Sequence, residues 1–564
     1  MNRTQKITYG TASLIMALFR AWSLYFYRGD QASALSLSGN LVLFSLRCLF
    51  YTLLFFLFFS SMQELFINRQ ASRKLFEEGQ LSRPSGKIYL IWCAILTAAW
   101  LPHMIIKYPG AMCWDSWQML TQYRHQTITN FHSPYYSVLI GFFTDLFIKS
   151  GHAEVGLYLF AILHYLVFVL VFGYSLWLLR VRMRARRAVC MLLLLCYVLC
   201  PYIIGYLGVI SKDCLYSAFV FLFLLCLLDC FLDSDSFQYS PGKNLLLVIA
   251  VVNVILIRRN GLLLILATWI CLLLSSLKQK KGFRLSAVIA LSLGLTMGLS
   301  SVINHIWSVE NAGKRDAFSM CFQQTARYVT LYQDEISEEE ADIIRAVLPY
   351  EELPDLYDPR ISDPVKSHYN PAHEGAMKDW LRLWVKWFFR HPGCYFSAVM
   401  EQNYYLFTPE VLDNISLYRD VDVGYELGET VVISRDTPFF EPIFHEPAAL
   451  QGAKEAAVRE YMLLHAVPVT RWLGNCSFWF YLLLFSAVFA AANSISWVIP
   501  FMPEIVTVGI VIISPVIYGH PRYMFPVIYG TPVLVLYVLC EAAKKSAGRR
   551  AADFPFPEPG TRGM

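Results

Sequence analysis

Side chains that could handle a phosphate group are concentrated in four short stretches of the sequence. They are Asp115, Gln118 and His132; Lys212 and Asp213; Arg258, Arg259 and Asn260; and His520, Arg522 and Tyr523. Each stretch lies beside a long apolar block, where a charge is costly unless it is paired or lines a wet cavity. Basic side chains around a carboxylate suit the phosphate headgroup of an amphiphile. The four stretches therefore predict a phosphate-binding site at the edge of a membrane.

Each stretch also has a simpler structural interpretation. Asp115 could be the N-cap of a helix, with its carboxylate accepting hydrogen bonds from backbone amides. Lys212 and Asp213 could form a local ion pair, and the adjacent arginines could extend to lipid headgroups. Arg522 could be an interface anchor beside its tyrosine, and His132 an ordinary buried polar residue. A shared site is favoured over these separate roles only if the stretches meet in space.

The composition indicates that apolar helices position these side chains. Of the 564 residues, 56% are hydrophobic and 16% are charged, against roughly 25% charged in soluble domains. The apolar residues form blocks of about 15 to 25, the length that crosses a bilayer as a helix. This pattern excludes an ordinary water-soluble enzyme. We predict an all-α polytopic membrane protein with about 12 transmembrane helices, near residues 8–27, 41–61, 88–106, 153–179, 188–207, 214–232, 244–257, 261–278, 284–306, 474–493, 496–514 and 524–541.

Basic residues in short loops mark the cytoplasmic side of a membrane protein. They follow every second predicted span, as Arg69, Arg73, Lys74 and Arg83; Arg180, Arg182, Arg184, Arg186 and Arg187; Lys278, Lys280, Lys281 and Arg284; and Lys544, Lys545, Arg549 and Arg550. Both termini are therefore predicted to be cytoplasmic, and all four polar stretches to be extracytoplasmic. This register requires that the apolar stretch 134–149 does not cross, and we interpret it as a re-entrant or interfacial helix.

A long acidic segment interrupts the predicted spans. Between Asn311 and Arg471 there are 26 acidic and 15 basic residues, whereas the rest of the chain has 16 acidic and 32 basic. The segment is long enough for a small folded domain of mixed helical and irregular structure on the outer face. The predicted organisation is an N-terminal hairpin with a cytoplasmic loop at 1–87, a transmembrane core at 88–307 whose first outer loop is 107–152, the acidic domain at 308–473, C-terminal helices at 474–541 and a cytoplasmic tail at 542–564.

One helix of the acidic segment, near 380–390, is predicted to lie on the membrane surface. It combines a basic stripe with tryptophans, namely Arg382, Lys386 and Arg390 with Trp380, Trp384 and Trp387. Aromatic and basic residues on one helix are typical of an interfacial anchor. Contact of the basic stripe with lipid phosphates is the alternative.

Short motifs run in order along most of the chain, from about residue 105 to 530. The first polar stretch reads Tyr108-Pro-Gly-x4-Asp115-Ser-x-x-Gln118, followed by His132-x-Pro134. It resembles the first outer loop of the GT-C superfamily of membrane glycosyltransferases, and the chain is also similar to an uncharacterised bacterial branch of that superfamily. Further matches to the branch are Lys212-Asp213, Arg258-x-Asn260-Gly261, Gln323-Gln324-x-Ala326-Arg327, Asp363-Pro-x-Lys366 and Arg522-Tyr523-x-x-Pro526.

The resemblance implies a GT-C-like fold and an enzyme that moves a sugar from a polyprenyl-phosphate carrier to a glycan, lipid or protein acceptor. It implies the outer face of a bacterial plasma membrane, with the lipid bilayer and no nucleic acid as partners. By matching position, Asp115 would be the general base, and Arg258 and Arg522 would hold the lipid phosphate. Lys212 and His520 would be their neighbours, and the other residues of the four stretches would contact substrate.

One departure from the superfamily concerns metal binding. Ser116 follows Asp115 where many relatives carry a second carboxylate. The departure favours proton abstraction by Asp115 over coordination of a divalent cation, so no cofactor is assigned. A single carboxylate acting opposite the departing phosphate would invert the anomeric carbon.

Two other classes of function stay open. A transporter or lipid flippase would carry charged or broken-helix sites near the bilayer midplane and often inverted repeats, whereas the predicted spans are poor in ionisable residues. A non-enzymatic assembly protein would use the acidic domain to bind a partner, but this interpretation does not explain the arginines at the membrane edge. A membrane glycosyltransferase is therefore the predicted function.

Overall fold

The described part of the chain is mostly α-helical, which confirms the predicted all-α class. The computed structural model describes residues 1–27, 37–77, 86–234, 237, 239–279, 283–311, 313, 315–373, 375–409, 448–514 and 517–548. Up to residue 306 the elements are α1 Arg3–Tyr27, α2 Leu37–Met62, α3 Gly86–Ile106, β1 Ala111–Met112, α4 Trp114–His125, α5 Pro134–Ile148, α6 Ala153–Val181, α7 Arg187–Leu199, α8 Pro201–Tyr206, β2 Val209–Ile210, α9 Lys212–Leu232, α10 Pro241–Ile257, α11 Asn260–Gln279 and α12 Phe283–Ile306. They are followed by α13 Ser319–Tyr332, α14 Glu338–Arg345, α15 Leu353–Leu356, α16 Asp363–Ser367, α17 Ala376–Arg390, α18 Pro392–Phe407, α19 Gln451–Ala466, α20 Pro468–Leu473, α21 Cys476–Asn493, α22 Met502–Ile513 and α23 Phe525–Ser546.

Among the described residues, nine helical segments are long and apolar enough to cross a membrane. They are Leu41–Asn68, Gly86–Ile106, Ala153–Val181, Lys212–Leu232, Asn260–Leu277, Phe283–Ile306, Cys476–Asn493, Ile495–Ile513 and Pro521–Ser546. The protein is therefore a polytopic membrane protein. The total of 12 spans remains a prediction, as do the orientation and the position of the termini.

The other predicted spans are helical but do not reach the length or apolarity of these nine. Helix α7 has 13 residues and ends before Pro201, and α10 has 17 residues. Helix α1 has 25 residues and includes Arg3, Lys6 and Arg20. The stretch predicted not to cross forms α5, whose 15 residues are fewer than the ~20 that span a hydrocarbon core.

Helix α9 is the centre of the helical bundle. Every residue from Asp213 to Phe231 is buried, and the helix packs against α6, α10 and α23. Because its sequence is apolar on all sides, no face of it needs to meet water or lipid. Its first residue is Lys212, so this predicted site residue lies at the end of the most buried helix.

A two-stranded parallel pair joins the loop after α3 to the loop before α9. Ala111 pairs with Val209 and Met112 with Ile210. Gly110 has a φ of +111°, and a Cβ atom there would lie 2.8 Å from Cδ1 of Ile210. A side chain at Gly110 would therefore clash where the two strands approach. The pairing brings the start of α4 beside the start of α9.

The acidic domain, defined here as residues 315–407, has a hydrophobic core of its own. That core is formed by α13, α14 and α17 and includes Phe322, Tyr328, Ile344, Trp380 and Trp387. Its last helix, α18, packs against α1 and α21 of the bundle. The predicted segment 308–473 thus contains a folded helical domain, although 410–447 and the tail beyond Gly548 lie outside the described residues.

The tryptophans that favoured a membrane-surface helix face inward. Helix α17 covers the predicted interval, but Trp380 and Trp387 are buried in the domain core. Lys386 pairs with Glu340 at 2.8 Å, and Arg390 lies 3.4 Å from the same carboxylate. The aromatic face of α17 therefore stabilises the acidic domain, and Lys386 and Arg390 of the predicted basic stripe are engaged with a carboxylate of α14.

We expect a buried ion pair to be essential to the stability of the acidic domain. Arg327 on α13 pairs with Glu401 on α18, and Tyr357 donates to the same carboxylate at 2.9 Å. Arg327→Ala leaves Glu401 buried without its cation and should lower the free energy of unfolding by about 3–5 kcal/mol. Thermal denaturation of the purified protein measures this loss.

The matched control is Arg345→Ala. Arg345 pairs with Glu338, Asp342 and Glu351 on the surface of the same domain, where water screens the charges. The free energy of unfolding should fall clearly less in Arg345→Ala than in Arg327→Ala. Equal decreases would contradict a special role for the buried pair.

Candidate functional site

One cavity brings the four polar stretches together. Its volume is about 1980 Å³, and its walls come from α4, the loop before α5, the ends of α9 to α12, the segment before α23 and the acidic domain. Ten of the eleven predicted site residues line this main cavity: Asp115, Gln118, His132, Lys212, Asp213, Arg258, Arg259, Asn260, Arg522 and Tyr523. The separate local roles considered for each stretch are therefore not sufficient.

Lys212 connects the first two stretches. Its Nζ donates to Oδ2 of Asp115 at 2.7 Å and to Nδ1 of His132 at 2.9 Å. The N-cap of α4 is Cys113, and Asp115 lies in the first turn. Ser116 Oγ donates to the Ile210 carbonyl at 2.6 Å, which fixes α4 against β2. The N-cap interpretation of Asp115 is therefore wrong, because its carboxylate faces a lysine.

The neighbouring histidine is held in one neutral form. Burial, followed by the Lys212 charge, lowers the pKa of His132 to about 3. Since an ammonium can only donate, Nδ1 of His132 is the acceptor. The ring proton is therefore on Nε2, which lies 2.8 Å from Oε1 of Gln118 and donates to it. Gln118, His132, Lys212 and Asp115 thus form one hydrogen-bonded chain.

The Asp115 carboxylate is ionised in this arrangement. Burial raises the pKa of Asp115, but the charges of Lys212 and Arg522 together lower it by more than burial raises it. The pKa therefore lies well below its usual value. A carboxylate held this way is a weak proton acceptor. It becomes a better one only when Lys212 moves away.

Asp213 faces two arginines and not the adjacent lysine. Its carboxylate is 2% exposed and lies 3.1 Å from a terminal nitrogen of Arg258 and 3.6 Å from Nε of Arg522. Both guanidinium groups also lie over the Tyr523 ring, at 5.4 and 5.1 Å from its centroid. The prediction of a local Lys212–Asp213 ion pair is therefore wrong. The two arginines converge on Asp213 in the cavity wall.

The arginines retain donors that a ligand could use. Nε of Arg522 is buried, and no described residue accepts a hydrogen bond from it. A 3.6 Å separation from Asp213 is too long for a hydrogen bond. A buried donor in this state is costly, and an anion in the cavity would satisfy it.

The balance of charge in the cavity also favours an anionic ligand. Its lining includes six basic side chains, Lys212, Arg258, Arg259, Arg315, Lys366 and Arg522, and three acidic ones, Asp115, Asp213 and Asp363. Arg315 and Lys366 belong to the acidic domain and were not among the predicted site residues. The motif Asp363-Pro-x-Lys366 matches the bacterial branch described above, but the sequence assigned it no function. It supplies both residues of an ion pair at 2.6 Å.

Another wall of the cavity, formed by α11 and α12, combines apolar side chains with the small polar side chains of Thr296, Ser300, Ser301 and Asn304. Leu262 and Leu266 on α11 and Leu293 and Met297 on α12 line it, and Met297 is 73% exposed. From Leu293 to Asn304 the lining follows about 16 Å of helix. The main cavity therefore joins a charged end to a wall that carries several apolar side chains, which suits an amphiphile.

His520 is the exception among the predicted residues. It is buried outside the lining of the cavity and caps the turn Pro521–Met524, where its Nδ1 lies 3.5 Å from the Arg522 amide. Burial lowers its pKa well below the usual value. His520 therefore shapes the turn that presents Arg522.

The donor set of the cavity does not fit a divalent cation. In the described parts of the chain, no three side chains of His, Cys, Asp and Glu are grouped to hold a metal ion. Asp115 and Asp213 each face a cation of the protein, which would repel a metal. None of the chemistry assigned to this cavity therefore uses a divalent cation.

We expect the neutral state of His132 to appear in the pH dependence of stability. Its folded pKa of about 3 is below the ordinary histidine value of ~6.5. The unfolded chain therefore binds a proton first, and stability should fall as the pH drops from ~6.5 towards 3, by up to about 1.4 kcal/mol per pH unit. His132→Gln can accept from Lys212 and donate to Gln118, but it cannot titrate. Denaturation midpoints measured from pH 7 to 4 should fall less steeply in this variant, and identical slopes would refute the assignment.

Comparison with known proteins gives one match. No curated protein and no solved structure matches the chain. The sequence model of a family described as "Family of unknown function (DUF6020)" matches residues 119–552, which include every predicted site residue except Asp115 and Gln118. Since the match covers more than half of the chain, the protein belongs to this family.

Proposed function

We propose that the protein is a GT-C-type glycosyltransferase that moves a sugar from a polyprenyl-phosphate carrier to an acceptor hydroxyl on the outer face of the plasma membrane. The observation that carries the proposal is the main cavity, which joins a cationic end to a wall that carries apolar side chains of α11 and α12, with Met297 exposed at the side of the bundle. A polyprenyl chain would lie along α11 and α12, and its phosphate would reach the arginines. The carbohydrate would then lie beside Asp115.

Arg258 and Arg522 act on the leaving group. As the bond between the anomeric carbon and the phosphate oxygen breaks, its electron pair passes to the phosphate. The guanidinium groups stabilise this growing negative charge through charge-assisted hydrogen bonds. The buried Nε of Arg522, which has no acceptor among the described residues, is one donor for this purpose.

Asp115 acts on the acceptor, once Lys212 has released it. The phosphate competes with the carboxylate for the Lys212 ammonium, 2.7 Å away, and the loss of that cation raises the basicity of Asp115. The carboxylate then takes the proton of the acceptor hydroxyl, while the hydroxyl oxygen forms its bond to the anomeric carbon. General-base assistance of this kind contributes typically ~10²–10⁴-fold to the rate. Attack opposite the departing phosphate inverts the anomeric configuration.

Replacing the base tests the proposal directly. Asp115→Asn cannot accept the proton, so transfer from polyprenyl-phosphate sugars should fall by about 10²-fold or more. The rate is measured with purified protein in nanodiscs, and binding of polyprenyl phosphate is measured alongside it. Binding should persist, because the arginines are unchanged.

The matched control is Asp145→Asn on α5. Asp145 is also paired with a cation, Arg124, at 2.6 Å, but it lies outside the cavity lining. Its substitution should leave transfer intact. Near-normal transfer by Asp115→Asn would remove the base assignment, and a wild-type protein that transfers no sugar would remove the proposed function.

Glu504 favours a second candidate, a proton-coupled transporter of an amphiphile. It lies in the candidate span Ile495–Ile513 and is fully buried. Neither carboxylate oxygen has a hydrogen-bond partner among the described residues. An ionisable residue within a span is costly and often marks a transport pathway. The spans were predicted to be poor in ionisable residues, and Glu504 is one such residue that a span contains.

Glu504→Gln separates the two candidates. For a glycosyltransferase the amide replaces a group outside the lining of the main cavity, and we expect sugar transfer to be unchanged. For a proton-coupled transporter it removes the proton-binding group, and translocation of a fluorescent polyprenyl-phosphate analogue across proteoliposomes should lose its dependence on a pH gradient. Transport by the wild type without cleavage of the sugar bond would favour the second candidate.

A further inference from the structure

The acidic domain has a second cavity, which none of the roles above uses. Its volume is about 990 Å³, and it is called here the domain groove. The apolar residues of its two walls are Phe318, Tyr369 and Pro371 on one side and Met377, Leu381 and Val385 of α17 on the other. A concave apolar surface of this size on a folded domain is a candidate ligand site.

Helix α17 has an apolar stripe that the domain core covers only in part, since Met377 and Leu381 pack against the edge of the core and are partly buried. Met377, Leu381, Val385 and Phe389 follow one another at four-residue spacing, which places them on one face of the helix. Val385 is 45% exposed and Phe389 77%. The buried face, with Trp380 and Trp387, is a different one. Among the described residues, part of the stripe is therefore left exposed.

Basic residues lie along the rim of the domain groove. Lys378 and Arg382 line it beside the apolar stripe. Arg382 is 3.2 Å from Asp379, but both side chains are largely exposed, and such surface pairs are weak. An anionic group can therefore compete for these cations. The groove thus combines an apolar surface with a basic rim.

Tyr369 lies between the domain groove and the main cavity. Tyr369 lines both, and its ring is stacked on Phe322 at 5.2 Å in the domain core. A ligand in the groove would therefore be next to the space that holds the substrate of the proposed reaction.

We propose that the domain groove binds the acceptor, and that the acceptor is an anionic amphiphile. Its apolar chain lies on Met377, Leu381 and Val385, its anionic group contacts Lys378 and Arg382, and its hydroxyl extends past Tyr369 towards Asp115. This proposal rests on the proposed function and names its second substrate. A concave groove with two walls fits a single chain better than a bilayer surface, and Phe389, the most exposed residue of the stripe, lies outside its lining.

Photo-crosslinking distinguishes this site from the main cavity. The full-length protein in phosphatidylcholine nanodiscs is exposed to undecyl phosphate with a diazirine at the end of its chain, and crosslinked peptides are mapped by mass spectrometry. We expect crosslinks within 369–385, in addition to those from 255–304 in the main cavity. Leu381→Glu places a carboxylate in the apolar groove and should reduce the first set by about tenfold.

Two controls define the chemistry of the groove. Leu331→Glu changes an exposed leucine of the same domain outside the groove and should leave both sets of crosslinks intact. Replacing Lys378 and Arg382 together by glutamine should weaken crosslinking of the phosphate probe but not of the uncharged undecanol probe. In a transfer assay, Leu381→Glu should raise the KM for the acceptor and not for the donor.

The outcomes that overturn the proposal are distinct from those that overturn the proposed function. Crosslinks confined to 255–304, equal effects of Leu381→Glu and Leu331→Glu, or crosslinks at Phe389 as strong as those at Leu381 would each overturn it, the last by indicating bilayer contact. If the wild type transfers sugar but shows no groove crosslink, the groove proposal fails alone. If it crosslinks in the groove but transfers no sugar, the proposed function fails and the acceptor role with it.

Discussion

Two opposite charges at the start of the most buried helix determine how the rest of the site is arranged. Lys212 and Asp213 open α9, and each needs a partner because an uncompensated charge there is expensive. Lys212 is neutralised by Asp115, which the β1–β2 pair brings into reach. Asp213 is neutralised by arginines from the α10–α11 turn and from the segment before α23. Loops separated by hundreds of residues are thus held in register by the requirement for charge compensation.

The sequence predicted which stretches would meet, but not how they would pair. Loops at the ends of alternate spans share one level of the membrane, so the convergence of four polar stretches could be predicted from the spacing of apolar blocks. Partner choice depends on directions and distances of a few ångströms. This is why the expected N-cap role of Asp115 and the expected Lys212–Asp213 pair were both wrong. Strands of two residues, such as β1 and β2, leave no detectable periodicity, so their role as the connection could not be foreseen.

For the acidic domain, too, the sequence predicted the helices but not which of their faces are buried. Its helical folding followed from composition and length, yet the tryptophans of α17 were assigned to the membrane because aromatic residues suit both an interface and a core. The structure buries Trp380 and Trp387 in the core and leaves the aliphatic stripe only partly covered, with Met377 and Leu381 at the edge of the core and Val385 exposed. Only the packing of α17 against α13 decides which face is buried. Arg315 and Lys366 were missed for a related reason, since nothing in their local sequence indicates that the domain forms a wall of the main cavity.

The resting pair between Asp115 and Lys212 bears on how the proposed reaction could be controlled. While Lys212 is in place, the pKa of Asp115 lies well below its usual value, and the carboxylate cannot readily take a proton from water or from an acceptor. An arriving phosphodiester carries one negative charge, as the carboxylate does, but it can bind Arg258 and Arg522 together with the lysine, and its negative charge grows as the sugar leaves. Binding of the donor would therefore produce the active base in the same step that neutralises the excess of cations. A site built in this way would activate a nucleophile only when the carrier phosphate is present.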